Sequence, residues 1–447
     1  MLTQPECQRI FDIAWKAARS LGADDVELLF HSNEESLTRF ANNAIHQNVS
    51  ERGTGISVRP QAGLRTARAE TNRLDAASIA AAVETAMAIL RSRDEAPSLL
   101  PMAGPAPVPV IARFSQRTAA ITPLQRAEAV RDVVAIARSA GQTAAGAFSV
   151  NQTADALINS RGVHCHHEQT LATFSVTMME ESSSGWAKGS AVDIGDLDPA
   201  ALAADASRRA VLSRNPREID PGRYTVILEP AAVLDLAGQM FPDFSGTAIE
   251  DQRSFLTDRM NQQVFGSNIT ITDDAGHPLQ SGTPFDGEGV PRRTLQLVDS
   301  GVPREVGWSR SAAARHGLDP TGHGLPLPND IGDAVMNVVI AGGSHTVDQM
   351  IRETKRGIWV TRFWYIREVD PYAKVMTGMT RDGTFLIEDG EVACGIRNFR
   401  FNQSLVEMLN NVEALGSPVR ASGEEYMDMV VPAMKINGFN FTEVTRF

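Results

Sequence analysis

Apolar residues near the start of the chain recur at the three-to-four-residue spacing of one helix face. The series consists of Ile10, Ile13, Ala14, Ala17 and Leu21. Thr3 and Pro5 precede it, and these residue types suit the cap and the first turn of a helix, where amide groups have no partner within the helix. The pattern therefore predicts a first helix that ends before Gly22.

The rest of the first half alternates short strand patterns with alanine-rich helical patterns. Strands are predicted at 26–31 and 37–40, a hairpin at 55–60 and 64–69, and three strands within 144–179. Helices are predicted at about 75–91, from Thr122 to about 140, and at 199–212. This order predicts an α+β layer, in which helices pack on an antiparallel sheet.

Two stretches rich in turn residues divide the chain. Residues 97–109 contain five prolines, which fix φ and remove amide donors too often for a regular element, so we predict a crossover there. Asn215-Pro216 and Asp220-Pro221-Gly222 are typical of turns. The sequence thus predicts an N-terminal domain at 1–220 and a C-terminal domain at 221–447.

Short strand patterns dominate the second half. They lie at 225–228, 268–272, 294–298, 334–341, 358–365 and 384–388, and helical patterns lie near 231–241 and 346–354. Many short strands broken by glycine and proline are typical of barrels and sandwiches. We therefore predict a β-rich C-terminal domain with a barrel-like or sandwich-like arrangement and a few helices.

Composition and charge narrow the class of protein. The 447 residues are 43% hydrophobic and 21% charged, as in soluble globular chains, and the net charge of -12 argues against a broad phosphate-binding surface. Cys7, Cys165 and Cys394 are widely spaced and odd in number, which fits a reducing compartment better than a disulfide framework. No apolar stretch approaches the roughly 20 residues that span a bilayer. We expect a soluble cytoplasmic protein that binds neither nucleic acid nor membrane.

Several motifs follow one another in a fixed order along the chain. Pro284-Phe285-Asp286-Gly287-Glu288-Gly289 comes after Ser254-Phe255-Leu256 and Ile271-Thr272-Asp273-Asp274, with further related stretches at 39–47, 53–58, 321–324, 342–344, 354–358 and 385–391. In this order the chain resembles the TldD/PmbA family, also called modulators of DNA gyrase, over nearly its whole length. The resemblance implies an N-terminal α+β domain, a C-terminal β-rich domain and a dimer.

The zinc-bearing branch of that family carries a His-Glu-x-x-x-His motif, which this chain does not have. An ungapped match puts Gly238, Gln239 and Asp243 at the three motif positions. A zinc peptidase needs imidazole or thiolate ligands and a carboxylate base, whereas glycine has no ligand atom and glutamine cannot act as a base. The branch also draws a cysteine ligand from its C-terminal segment, and residues 414–437 contain no cysteine.

The resemblance thus implies the TldE or PmbA branch, a non-catalytic subunit of a metallopeptidase complex that acts on unfolded peptides. Such a chain has no catalytic residue, metal or cofactor of its own. It helps form the dimer and the peptide chamber, with a TldD-like zinc subunit or a second copy of itself as partner, and zinc is expected in the TldD-like partner. The alternative is a self-standing metallopeptidase with non-standard ligands, drawn from His164, His166, His323, Asp243, Asp286 and Glu288.

Two local clusters of polar residues could form functional sites, but each also has a plainer interpretation. His164, His166 and Glu168 share one face of a predicted strand and could contact a metal, but ligands on one strand without the family's spacing favour an ordinary surface. Asp286 and Glu288 lie among glycines, as does His323. A solvated loop is the plainer interpretation, and the functional alternative is that these residues line a cleft rather than catalyse a reaction.

Overall fold

The computed structural model of the protein describes residues 1–445. One seven-stranded antiparallel sheet with helices packed on it uses strands from residues 25–191, and two further sheets of six and nine strands use residues 222–444. The predicted α+β class, with an antiparallel N-terminal sheet and a β-rich C-terminal half, is confirmed.

Residues 1–220 contain five α-helices and seven strands. The helices are α1 Gln4–Ser20, α2 Ala76–Ser92, α3 Gln116–Ala119, α4 Pro123–Ser139 and α5 Pro199–Leu212. The strands are β1 Asp25–Ala41, β2 Ala44–Ala62, β3 Arg65–Thr66, β4 Ala69–Thr71, β5 Thr143–Asn159, β6 His164–Met179 and β7 Ser184–Ala191. A 3-10 turn covers Ile194–Asp196, and residues 97–109 form neither helix nor strand.

Capping residues explain where the helices begin. The Thr122 hydroxyl accepts from the Gln125 amide at 3.3 Å, and the Gln125 side chain accepts from the Thr122 amide at 2.8 Å. Asp75 accepts from the Ser78 amide at 2.9 Å at the start of α2. Such contacts satisfy the amides that have no partner within the helix, and the predicted helices in this half are confirmed.

The prediction of pairs of short strands was wrong, because the structure has long strands instead. β1 runs without interruption through the polar residues 32–36, and two strands, β5 and β6, take the place of three within 144–179. β1 is hydrogen-bonded to β2 on one side and to β5 on the other. Since both neighbours satisfy its backbone groups, a polar stretch of side chains does not end the strand.

The two faces of the first sheet, ordered β3-β2-β1-β5-β6-β7, have different partners. Helices cover the first face. Leu28 and Phe30 on this face are buried under α1 and α2, and Phe148 and Phe174 on the same face are buried under α4 and α5. Side chains alternate along each strand, so the residues between these face the other way. On that second face Leu157 and Cys165 contact Phe285 from the C-terminal half.

Residues 222–444 contain fifteen strands and five α-helices. The strands are β8 Gly222–Leu228, β9 Ile271–Asp273, β10 Leu295–Asp299, β11 Val302–Pro303, β12 Val338–Ile340, β13 Arg356–Val360, β14 Phe363–Asp370, β15 Val375–Thr380, β16 Thr384–Glu388, β17 Glu391–Gly395, β18 Phe399–Ser404, β19 Val412–Leu415, β20 Val419–Ala421, β21 Met429–Val431 and β22 Met434–Val444. The helices are α6 Pro230–Ala237, α7 Gly246–Glu250, α8 Arg310–His316, α9 Val347–Arg352 and α10 Leu405–Asn410, with a 3-10 helix at Gly238–Asp243.

The main core lies between the two C-terminal sheets. One sheet is ordered β11-β10-β9-β12-β21-β20, and the other is ordered β14-β15-β18-β22-β8-β13-β16-β17, with β19 also paired to β22. Ile271 and Leu295 from the first and Val226 and Phe401 from the second belong to one buried cluster. Burying this apolar area is the main stabilising contribution to this half.

Two predicted strands in this half were wrong in extent. The pattern at 334–341 yields only the three residues of β12, because the amides of Met336 and Asn337 donate to the Asp273 carboxylate at 2.7 and 2.8 Å. The pattern at 358–365 divides into β13 and β14. Thr361 and Arg362 separate these strands, which belong to distant positions of the same sheet.

Polar contacts join the two halves of the chain. Arg209 on α5 donates to Glu229 at 2.7 Å, and Arg68 donates to the Leu327 carbonyl at 2.7 Å and to Glu27 at 2.8 Å. Ser190 on β7 donates to Asp428 at 2.5 Å. Among the helices of residues 1–445, none has the length and apolar character needed to cross a membrane.

The contact between β7 and α5 leaves no room for a side chain at Gly185. A Cβ there would lie 2.1 Å from the Ala206 carbonyl oxygen and 2.5 Å from the Ala210 nitrogen, both backbone atoms. We predict that Gly185→Ala lowers the free energy of unfolding by about 1–3 kcal/mol, because the helix must shift. Urea denaturation measures this. Gly104→Ala is the control, since no atom lies within 4 Å of its added Cβ; equal losses for both variants would contradict the packing argument.

Candidate functional site

The helix α6 and the 3-10 helix after it carry the three positions matched to the zinc motif. Gly238 begins the 3-10 helix, Gln239 follows it, and Asp243 ends it. Residues 232–237 of α6 are all buried, so the element lies inside the C-terminal half. Two distant segments contact it, the β14–β15 hairpin and residues 422–426.

Gly238 lies directly against Tyr426. A Cβ added to Gly238 would be 2.4 Å from Cγ of Tyr426, so a histidine cannot enter this position unless the tyrosine moves. Burial raises the pKa of Tyr426 to about 12, which keeps the phenol neutral. The next residue, Gln239, donates its side-chain amide to the Asp235 carbonyl at 3.3 Å.

Asp243 forms a buried ion pair with Lys374. The Lys374 ammonium also lies 2.7 Å from Glu368 on β14, and the Phe255 amide donates to Asp243 at 3.2 Å. Burial raises the pKa of Asp243, while the Lys374 ammonium acts in the opposite direction. The carboxylate at the last motif position is thus neutralised by a cation that the chain itself supplies.

Asp235 is a fully buried carboxyl one helical turn before Gly238. Its Oδ1 accepts from the amides of Glu424 and Glu425 at 3.1 and 3.0 Å, whereas Oδ2 has no hydrogen-bond partner within residues 1–445. Burial raises the pKa of Asp235 to about 7, and the carboxylates of Glu424 and Glu425 add to this shift. Near neutral pH the group therefore titrates between its two forms.

Asp286 organises the loop at 284–289. Its Oδ1 accepts from the amides of Glu288 and Val290, each at 2.9 Å, and its Oδ2 accepts from Gly324 at 2.7 Å. Burial raises the pKa of Asp286. Gly289, with φ of 79°, brings the end of the loop against the first sheet, which a residue with a side chain would resist.

Glu288 and His323 are buried behind this loop. The Glu288 carboxyl accepts from the Arg310 amide at 2.9 Å, and burial, followed by the nearby Asp286 charge, raises the pKa of Glu288 to about 7. The His323 ring nitrogens lie 3.1 Å from Asp273 and 2.9 Å from the Thr321 hydroxyl. Both side chains are thus held by protein groups, and Asp286 is the member of the three that reaches a cavity wall.

The six residues of the self-standing enzyme hypothesis do not form one site. His164 is exposed on β6, His166 lies 3.2 Å from the Leu2 carbonyl, and Asp243 is bound to Lys374. Across residues 1–445, no group of three or more His, Cys, Asp or Glu side chains is arranged to hold a metal ion. The geometry therefore does not favour this hypothesis.

A cleft runs between the second face of the first sheet and loops of the C-terminal half. It consists of two adjacent cavities of about 600 and 480 Å³. Strands β1 and β5 line the first cavity, and strands β6 and β7 line the second. Thr283, Arg292 and Met336 line both cavities, so they mark the place where the two meet.

Four residues of these sites were not singled out from the sequence: Asp235, Arg292, Lys374 and Tyr426. Lys374 lies between β14 and β15, outside the stretches that carry the family resemblance, and no local pattern marks it. The other three are ordinary residue types in unremarkable local patterns. Their importance depends on contacts between segments that are far apart in the chain.

The buried ion pair between Asp243 and Lys374 should stabilise the folded chain. Lys374→Met should lower the free energy of unfolding by about 3–5 kcal/mol, because it leaves a buried carboxylate without its counter-charge. The double variant Lys374→Met with Asp243→Asn should regain much of this loss, since Glu368 is 40% exposed and stays hydrated. Denaturant unfolding measures both, with the exposed Lys355→Met as control. A single variant as stable as the control would refute the pairing.

The raised pKa of Asp235 should make the stability of the fold depend on pH. The unfolded carboxyl ionises near pH 4 and the folded one near pH 7, so the unfolded state loses its proton first as pH rises, and stability falls between these values. From pH 5 to pH 8 the wild type should lose about 2–3 kcal/mol more stability than Asp235→Asn. Chemical denaturation at both pH values tests this. The exposed Asp330→Asn should behave as wild type, and an unchanged pH dependence in Asp235→Asn would rule out the assignment.

Comparison with known protein families covers most of the chain. Residues 26–90 match the PmbA/TldA metallopeptidase domain 1, residues 109–214 match its central domain, and residues 221–443 match its C-terminal domain. A metalloprotease of Methanothermobacter thermautotrophicus is 26% identical over 208 residues, 44% of each chain. The PmbA homologue of Haemophilus influenzae, also named a metalloprotease, is 23% identical over 239 residues, 52% of this chain and 50% of that one. The chain thus spans about half the length of the curated relatives it matches.

Solved structures share the fold over almost the whole chain. TldE from Thermococcus kodakarensis has a TM-score of 0.88 at 20% identity, covering 97% of this chain and 100% of that one. A candidate modulator of DNA gyrase from Thermotoga maritima has a TM-score of 0.87 at 18% identity, with the same coverage. With the three matched family domains in order, this chain belongs to the PmbA/TldD metallopeptidase family.

Proposed function

We propose that this chain is the non-catalytic, TldE-like subunit of a TldD/TldE-type metallopeptidase complex. It forms the dimer with a zinc-bearing TldD-like chain and encloses the path of an unfolded peptide. The observation that carries the proposal is the Lys374 ammonium, which is bound to Asp243 where a metal-binding branch has its second histidine.

The chemistry of the three motif positions supports a non-catalytic role. Hydrolysis of a peptide by zinc needs ligands that hold the ion and a carboxylate that takes a proton from its bound water. Gly238 provides no ligand and is covered by Tyr426, and Gln239 provides no base. A divalent ion at Asp243 would also have to displace the ammonium group of Lys374, whose side chain is only 6% exposed.

The cleft supports a role in holding the peptide. Its two cavities of about 600 and 480 Å³ fall within the range of ligand sites, which is roughly 300–1,000 Å³. Residues from both halves of the chain form the walls, so the shape of the cleft depends on the interface that joins the halves. Because relatives are named metalloproteases and the TldE structure shares the fold, we propose that the ligand of the cleft is a peptide.

Reconstitution tests this function. The purified chain should contain zinc far below one ion per chain and should leave an unfolded casein-derived peptide intact. A mixture with a TldD-like relative from the same organism should cleave the peptide, and a chelator should abolish the cleavage. The same relative with its motif glutamate replaced by glutamine is the matched control and should be inactive in the mixture. Zinc-dependent cleavage by this chain alone would overturn the proposal.

A further inference from the structure

We infer that the cleft binds the C-terminal carboxylate of a peptide, and that the guanidinium group of Arg292 is the anchor. This inference rests on the proposed function for the class of ligand and goes beyond it by assigning the bound chemical group, the residue that binds it and the direction of the chain in the cleft.

Arg292 lies at the junction of the two cavities and has unused donors. It lines both of them, and its Nε and Nη1 atoms are buried without a hydrogen-bond partner among residues 1–445. A buried guanidinium nitrogen without a partner is costly, since it has given up its water. Arginine presents its N–H groups as a planar fork, which matches the two oxygens of a carboxylate.

The side chain of Gln169, which lines the same second cavity, offers an acceptor beside the donors of Arg292. Gln169 on β6 lines that cavity, and its side-chain carbonyl is also buried without a partner in the described part of the chain. The last residue of a peptide carries a carboxylate and, one bond from its Cα, an amide N–H. Arg292 offers donors for the first and Gln169 offers an acceptor for the second.

The charges of the second cavity select an acidic group. Lys188, Arg292 and Arg420 contribute positive charge to its wall, against Asp428 alone among carboxylates. The Lys188 ammonium donates to the Gly423 carbonyl at 2.5 Å and pairs with Glu424 at 3.4 Å. The Arg420 guanidinium pairs with Asp428 at 3.1 Å. The positive charge of Arg292 opposes the increase that burial causes in the pKa of Asp273 and Asp286, but among residues 1–445 no carboxylate lies within ion-pair distance of the Arg292 guanidinium group. Arg292 is therefore the cation of this wall that can bind a ligand directly.

The first cavity has more carboxyl groups than arginines in its wall, whereas cations outnumber carboxylates in the second, and this difference sets the direction of the peptide. Its wall carries three carboxyl groups, those of Glu70, Asp155 and Asp286, against the cations Arg68 and Arg292, with His31 2.7 Å from Asp155. It also carries apolar side chains from both halves, Leu29, Phe285 and Pro326. The carboxylate thus points toward the second cavity, and the preceding residues of the peptide lie in the first.

Binding of labelled peptides to the full-length chain tests the inference. The first probe is an unfolded peptide without charged side chains that has a fluorescent N-terminal label and a free C-terminal carboxylate. The other two are the same peptide with a C-terminal amide and this amide form with one internal glutamate. Fluorescence anisotropy should show that the free acid binds about 10–100-fold more tightly than either amide, since hydrogen bonds to charged groups contribute about 1.5–3 kcal/mol. Arg292→Gln should remove this preference and leave the affinity for the amide unchanged.

The control is Arg293→Gln, which removes an exposed arginine at the next position, one that pairs with Glu305 at 3.0 Å. It should keep the preference for the acid. Equal binding of acid and amide to the wild type, absence of binding, equal binding of the glutamate-containing amide, or an Arg292→Gln variant that keeps the preference would each overturn the inference. None of these readouts depends on cleavage, so they separate this inference from the zinc-subunit proposal.

Discussion

The ammonium group of Lys374 between Asp243 and Glu368 is the interaction on which the account of this chain depends. Removing charges from water costs several kcal/mol per ion, and such a cluster is tolerated only when each charge has a close partner. Asp243 and Lys374 meet that condition because they are buried together. The Asp243 carboxylate at the end of this helix is therefore paired with an internal cation, which a divalent ion at this position would have to displace.

The same region shows how distant segments define one environment. The helix α6 and the following 3-10 helix provide Asp235, Gly238 and Asp243, the β14–β15 hairpin provides Lys374, and residues 422–426 cover the element from the C-terminal side. A tyrosine occupies the space next to Gly238. The chain's own groups thus occupy these two positions, with Tyr426 packed against Gly238 and Lys374 paired with Asp243.

The interface between the two halves is the second organising feature. One face of the first sheet is covered by helices, and the other meets the C-terminal loops along the cleft. Asp286 and Gly289 shape the loop that contacts this face. Asp286 and Gly289, which belong to the motif at 284–289, thus have a physical role in holding the cleft wall.

Much of the fold was predictable from local pattern, and the sites were less so. The helices that begin at Pro123 and Pro199 followed from caps and periodicity, because these signals act within a few residues. The lengths of β1 and β5 were mispredicted, because hydrogen bonds from neighbouring strands outweigh local polarity. The positions at Gly238 and Asp243 came from the family resemblance, whereas Lys374 and Arg292 depend on contacts across the fold that no local pattern reports.

A crystal structure of this chain grown with excess zinc, with an anomalous difference map measured at the zinc edge, tests the central claim most directly. We expect no zinc peak within the cluster of Asp243, Glu368 and Lys374, and an ammonium group that remains in contact with both carboxylates. A strong peak coordinated by Asp243, with Lys374 displaced, would contradict it.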